Sequence, residues 1–288
     1  YLNRMPLLPT HLRDGVATVS FHHPKGNSLP GSLLSELANE ITKLGTNAEA
    51  RVIVLRSEGT GPFCAGASFD ELTAIRTPES GKEFFSGFSR VILAMIRAPK
   101  FVLVRVHGRT AGGGVGIAAA GDYTFACAGA SSKLSELAVG IGPFVVGPVI
   151  ERRIGPGPYA AMSVDANWRD AAWCEQHGLY ARVLEDVALM DAQIHALAGT
   201  LAARERQVGL GAGQRVVERP REGRELVVLG RAHRGRAPDL GHDLGLLVAR
   251  GVDHVRPRAR GAVGQHPAPE RPAPGEVARA PGYFARKM

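Results

Sequence analysis

The stretch Phe101-Val102-Leu103-Val104-Arg105-Val106-His107-Gly108-Arg109-Thr110-Ala111-Gly112-Gly113-Gly114-Val115 decides the fold. Its first six residues form a short β-branched run that predicts a buried strand. Three glycines follow, and then residues 115–120, which can form a helix. Consecutive glycines cost chain entropy, so they are expected where backbone must approach a ligand or another helix closely. A phosphate-binding loop is the rival reading. It lacks the Gly-Lys-Ser/Thr ending, and it also lacks the Gly-x-Gly-x-x-Gly spacing with a later acidic residue.

Working outward, the same strand-to-helix grammar repeats. Residues 15–21 alternate and are β-branched, residues 51–56 form a buried apolar run, and residues 122–126 make a further short strand. Leu33, Leu34, Leu37, Ile41 and Leu44 recur at helical spacing, and residues 83–96 show the same period. Residues 59–66 form a Gly-rich loop, and His23-Pro24-Lys25-Gly26-Asn27-Ser28 is a loop by its Pro, Gly and Asn. Helical character dominates from Pro158 to about Arg206, with residues 168–178 and 186–203 the clearest pieces. Strands alternating with helices predict an α/β fold of stacked ββα or βαβ units around one core.

The last eighty residues differ in kind. Residues 208–288 hold 15 Lys and Arg against 8 Asp and Glu, a net charge of +7, which leaves +1 for the rest of the chain's +8. Basicity therefore belongs to the tail and not to the part that carries the loops. Four prolines within residues 267–274 oppose a long helix. The tail reads as low-complexity and largely irregular, with residues 240–248 its one plausible ordered element. The expected domains are a core over 1–207 and a basic tail over 208–288. The Arg clusters of the tail offer charge to nucleic acid but no interleaved aromatics for stacking, so nucleic-acid binding is the weakest functional reading.

Cys64, Cys127 and Cys174 sit at unrelated spacings, which fits reduced, buried residues and neither a disulfide framework nor a metal knuckle. The tail histidines His233, His242, His254 and His266 are too dispersed for a zinc pattern, so no metal is expected. Trp168 and Trp173 read as packing residues, and Asp165 shows no partner in the sequence. No apolar run approaches the roughly 18 residues of a membrane span, and no cleavage pattern follows the first residues, so no membrane association and a cytoplasmic location are expected.

Two further features carry chemistry. Gly61-Pro62-Phe63-Cys64-Ala65-Gly66-Ala67-Ser68-Phe69-Asp70 follows a strand and should open a helix, where N–H groups lack intrahelical acceptors and can point at negative charge. Glu136 lies in Lys133-Leu134-Ser135-Glu136-Leu137-Ala138-Val139-Gly140-Ile141-Gly142-Pro143, an otherwise apolar run. A carboxyl in such surroundings has its pKa raised, which suits proton transfer near neutral pH. The bland alternative is a helix-start glutamate facing water.

The order of these features, a Phe-x-Ala-Gly-Ala loop, then a glycine triplet, then a Leu-Ser-Glu-x-x-x-Gly segment, resembles the crotonase superfamily, the enoyl-CoA hydratase/isomerase family. The resemblance runs from about Val16 to Arg206. It includes Pro24-Lys25-Gly26-Asn27-Ser28-Leu29, which looks like the family's early CoA-side loop, Val104-Arg105-Val106-His107-Gly108, and Ala120-Gly121-Asp122-Tyr123.

The resemblance implies a crotonase-like spiral core of stacked ββα units followed by a C-terminal helical region. It also implies an acyl-CoA substrate, no cofactor beyond the coenzyme A of that substrate, and a homotrimer or hexamer. The oxyanion-hole N–H groups fall on Ala67 and Gly113, and the acid/base falls on Glu136. Lys25, Asn27, Ala65, Ala67, Ser68, Phe69, Asp70, Gly112 and Gly113 fall on the CoA and acyl contacts.

Departures from the family pattern narrow the expectation. The family's second glutamate, two residues after the triplet, is Gly116; its usual Asp after Gly-Ala is Ser68; a Lys of some members is Asp70. One carboxylate suits double-bond isomerisation and makes hydration harder. Asp70 or Glu71 is an alternative second acid, and a non-catalytic acyl-CoA binder is the alternative function. The Arg/Gly/Pro-rich tail does not look like the family's C-terminal helices. A shifted reading frame in a GC-rich gene would explain it, which the coding DNA tests.

Overall fold

The computed structural model of the chain describes residues 8–204 and the backbone of 205–208, 215–218 and 226–229, all within the unit Tyr1–His254. In chain order the elements are β1 Thr10–Arg13, β2 Val16–Phe21, β3 Ser28–Leu29, α1 Gly31–Thr46, β4 Val52–Ser57, β5 Gly66–Ala67, α2 Phe69–Ala74, α3 Pro78–Arg97, β6 Phe101–Val106, β7 Arg109–Ala111, α4 Gly113–Ala120, β8 Tyr123–Cys127 and β9 Ser131–Lys133. A single 3-10 turn, Leu137–Val139, then leads to α5 Gly147–Ile154, α6 Pro156–Asp165, β10 Arg169–Asp170, α7 Ala171–Gln176, β11 Arg182–Leu184, α8 Val187–Val208, β12 Arg215–Glu218 and β13 Leu226–Leu229.

A six-stranded sheet runs β1-β2-β4-β6-β8-β11. Only β1 is antiparallel; the other neighbours pair in parallel, with Ser20 opposite Arg56, Arg56 opposite Arg105 and Arg105 opposite Phe125. The central strands are buried apolar runs, as parallel strands covered on both faces require. Each is followed by a very short second strand. β3 pairs with β5, β7 pairs with β9, and a bridge from Cys64 to Thr110 joins the two pairs. A helix follows each short strand in three of the four repeats, so the core is a stack of ββα units.

The helices cover the sheet by ordinary amphipathic logic. Leu33, Leu34, Leu37, Ile41 and Leu44 of α1 are buried as their spacing predicts. On α3, Thr77 and Ser80 form a reciprocal cap around Pro78 at the first turn, which fixes where that helix starts. α1 and α3 pack closely at Gly87, where a Cβ would lie 2.8 Å from Leu34 Cδ1. α8 lies over the sheet through Met190, Ile194, Ala198 and Ala202.

The expected strands at 15–21, 51–56, 101–106 and 122–126 all form, 101–106 with the bounds expected and the others displaced by one residue at one or both ends. The piece expected as helix over 168–178 is shorter, because the Asp170 side chain caps α7 by accepting from Trp173 N at 2.7 Å. Trp168 is 43% exposed and lies under Arg109 and Lys133, so it is a cation–π platform and not an interior packing residue. Asp165 finds its partner in Arg169, at 2.6 Å. In the tail, β12 and β13 pair antiparallel where irregular chain was expected. Residues 240–248 and the four tail histidines lie outside the described residues.

Candidate active site

The two glycine-rich loops meet because backbone hydrogen bonds tie them. Ala111 N donates to Cys64 O at 2.8 Å, and Cys64 N donates to Arg109 O at 3.4 Å. Gly66, at φ +93°, is pressed on the 109–113 loop: a Cβ there would lie 3.2 Å from Ala111 O and 3.8 Å from Gly113 N. Ala67 and Gly113 therefore stand on one wall of a cavity of about 430 Å³, which both line.

Gly113 is the first residue of α4, where a helix offers its own N–H no acceptor. Gly112 before it takes φ +51°, a conformation that favours glycine. Ala65 N is engaged with Asn27 O and Ser68 N with Leu29 O, which leaves Ala67 between two tied residues.

Glu136 lines the same cavity. It sits just before the Leu137–Val139 turn, where Gly140 takes φ +78° and ends the turn. Its Oε1 lies 3.3 Å from the point where a Cβ of Gly112 would be, and its Oε2 is buried without a hydrogen-bond partner. Burial pushes the Glu136 carboxyl above the usual carboxylate range, while its own N–H and that of Ser135 pull it partly back. Lining a cavity, this buried carboxylate oxygen is open to a group supplied from outside the fold, water included.

The apolar part of the lining was not foreseen. Phe84, Phe85 and Phe88 of α3, with Leu72, Val145 and Val146, line the same cavity. The signal was present, since three phenylalanines at i, i+1 and i+4 share one helical face. Phe69 and Val139, at the cavity edge, are 62% and 51% exposed.

Of the residues expected at the site, Lys25, Ala65, Ala67, Phe69, Asp70, Gly112, Gly113 and Glu136 line the cavity. Asn27 and Ser68 do not. Asn27 is buried; its Oδ1 accepts from His23 N at 2.8 Å and its Nδ2 donates to Glu58 O and Pro62 O, so it staples two loops. Ser68 is the cap of α2 and accepts from Glu71 N. Glu71 accepts from Gly31 N at 2.9 Å, at the start of α1, and does not line the cavity. Asp70 forms an ion pair with Lys25, both side chains being mostly exposed.

Where the family pattern places a second glutamate, Gly116 is buried under side chains. A Cβ there would meet Val146 Cγ1 at 2.7 Å and Ile92 Cδ1 at 2.9 Å. Cys64, beside the first loop, is fully buried, and burial pushes its thiol up to about 12, which removes it as a nucleophile. Among the described residues no cluster of three His, Cys, Asp or Glu side chains gathers to hold a metal, and no helix is long and apolar enough to cross a membrane.

A family model described as enoyl-CoA hydratase/isomerase matches residues 11–209. The chain is 30% identical over 132 residues to a probable enoyl-CoA hydratase of Bacillus subtilis, covering 46% of this chain and 51% of that protein. It is 30% identical over 180 residues to the mitochondrial methylglutaconyl-CoA hydratase of Homo sapiens, covering 61% and 53%. It thus spans about half the length of these relatives. The crystal structure of an enoyl-CoA hydratase from Mycobacterium smegmatis superposes with a TM-score of 0.66 at 28% identity, covering 69% of this chain and 77% of that one.

Proposed function

The chain belongs to the enoyl-CoA hydratase/isomerase family, and we propose that it acts on an enoyl-CoA thioester with Glu136 as its single carboxylate acid/base. The observation that carries this reading is that Glu136, with a buried unpartnered oxygen, lines the same cavity as Ala67 and Gly113. Proton removal beside a thioester, or addition of water to its conjugated double bond, places negative charge on the thioester oxygen. In this reading the N–H groups of Ala67 and Gly113 receive that oxygen. Fixed donors aimed there act most strongly in the transition state, where each is worth about 3–4 kcal/mol.

The acyl chain lies along the phenylalanine wall, and coenzyme A leaves past Lys25 and Asp70. Glu136 then moves a proton at the carbons next to the thioester, in double-bond isomerisation or in hydration. No cofactor beyond the coenzyme A of the substrate takes part. A homotrimer or hexamer is the assembly that the family resemblance implies.

The test is turnover of 2-enoyl and 3-enoyl CoA esters by the full chain, followed in a spectrophotometer. Turnover of either that disappears in Glu136→Gln, with coenzyme A binding kept, supports the reading. Undiminished turnover in that variant overturns it. Binding without turnover of either ester makes the protein an acyl-CoA binder.

A further inference from the structure

Among the described residues, five polar side chains line the cavity: Lys25, Ser28, Asp70, Ser135 and Glu136. Three are engaged with the protein itself. Ser28 Oγ donates to Ala67 O at 2.9 Å, and Lys25 pairs with Asp70 at the exposed edge. Two remain available to a bound molecule. Glu136 keeps a buried Oε2 without a partner, and Ser135, half-buried on the cavity lining, carries a hydroxyl that the side-chain hydrogen bonds among the described residues do not engage.

The two available groups converge on one small space. Measured from the point where a Cβ of Gly112 would be, Glu136 Oε1 is at 3.3 Å and Ser135 Oγ at 3.6 Å. Gly112, held at φ +51°, keeps that space free of a side chain. The position across α4 offers nothing comparable, since the site of a Cβ on Gly116 is closed by Val146 and Ile92. A water molecule needs two or more polar partners to be held in place. The edge formed by Ser135 and Glu136 supplies them.

Building on the proposed function, we propose that Ser135 is a positioning residue that holds the oxygen added to, or lost from, the β-carbon of the acyl chain. In the forward direction that oxygen is water, and in reverse it is the β-hydroxyl. The water oxygen bonds to the β-carbon as the C=C π pair moves toward the thioester, whose oxygen takes the negative charge. The proton released by the water passes to the Glu136 carboxylate and from there to the α-carbon. The carboxylate is regenerated, one water has been added, and Ser135 neither gains nor loses a proton. The site therefore hydrates with one carboxylate and one hydroxyl where two carboxylates would otherwise be needed.

The experiment compares the full-length chain with Ser135→Ala and Ser135→Thr on two substrates, a 2-enoyl and a 3-enoyl CoA ester, with melting temperature as the check on folding. The expected result is that Ser135→Ala lowers kcat for hydration by about a hundredfold while KM and melting temperature stay near those of the unmodified chain. Ser135→Thr should recover most of the loss, and any 3-enoyl isomerisation should persist in both variants. Hydration by Ser135→Ala within about threefold of the unmodified chain overturns the inference. Isomerisation without hydration in the unmodified chain also overturns it, while leaving the role of Glu136 intact. Absence of both activities in the unmodified chain removes the proposed function and this inference together. A Ser135→Ala chain that melts early and loses both activities equally, with Ser135→Thr no better, assigns Ser135 a structural role and overturns the inference as well.

Discussion

The ring of Phe88 on α3 lies against Gly113 at the start of α4, so close that a Cβ on residue 113 would sit 2.5 Å from three ring carbons. Phe88 is 5% exposed and its ring borders the cavity, so an added methyl must either push the ring into that cavity or shift the backbone of residue 113. Gly113→Ala should therefore tilt the first turn of α4 and re-aim the N–H assigned to the thioester oxygen. The expected loss is about a hundredfold in kcat, the usual effect of removing one such donor. Removing the obstruction in Gly113→Ala/Phe88→Ala should recover part of it. Steady-state kinetics on a 2-enoyl CoA ester checks both variants, and an unaltered kcat in Gly113→Ala would remove Gly113 from the hole.

How much of this was legible in the chain depends on the length of each signal. Residues 101–106 are a continuous buried run and read as a strand at once. β3, β5, β7 and β9 are two or three residues long, too short to show a period, although they bring Ala67 and Gly113 together. α6 falls mostly within the helical region expected from Pro158, whereas α5 went unread; both open on a Gly-Pro pair, at Gly147-Pro148 and Gly155-Pro156. In the fold these prolines stand in the first turns, where the missing N–H costs nothing. Asn27 and Ser68 fall on CoA contacts by resemblance alone, and in the fold both are engaged with backbone. Ser135 was read only as a neighbour of Glu136, because nothing in one dimension reveals that it lines the cavity.

Placing a carboxylate at residue 116 should not create a second acid. Gly116→Glu must displace Val146 and Ile92, and overpacking of this kind costs about 1–3 kcal/mol before the burial of the carboxyl is counted. The single variant should melt several degrees lower without gaining hydratase activity. Adding Val146→Ala should restore part of the melting temperature. Thermal unfolding of the three proteins measures this directly, and an unshifted midpoint in Gly116→Glu would show that the wall yields more easily than its packing indicates.

Cys64 should be inert in the folded protein despite its place beside the first glycine-rich loop. It is fully buried, its thiol is pushed up to about 12, and a Cβ on Gly114 would lie 2.7 Å from Cys64 Cβ. Iodoacetamide at neutral pH should leave Cys64 unmodified in the native state and alkylate it after unfolding. Mass spectrometry of the digested protein distinguishes the two states. Rapid native labelling of Cys64 would mean that the two loops separate readily in solution.

Replacing Glu136 by Gln should raise stability as it abolishes turnover, with a defined dependence on pH. Burial holds the carboxyl of Glu136 above the usual carboxylate range in the folded chain. In acid, folded and unfolded chains both carry it protonated, and burying it has no electrostatic penalty. As pH rises past the ordinary carboxylate value, the unfolded chain releases its proton first. Stability is therefore lost across the window between that value and the raised one, and it stays lower at neutral pH. Gln is neutral throughout and escapes this loss. The melting temperature of Glu136→Gln should exceed that of the unmodified chain at neutral pH, and the two should converge in acid. The same shift places the acid limb of kcat/KM above the usual carboxylate range, since Glu136 must be ionised to accept a proton. Equal melting temperatures at neutral pH would mean that water reaches Glu136 freely in the unliganded site, and that the acid limb belongs to another group.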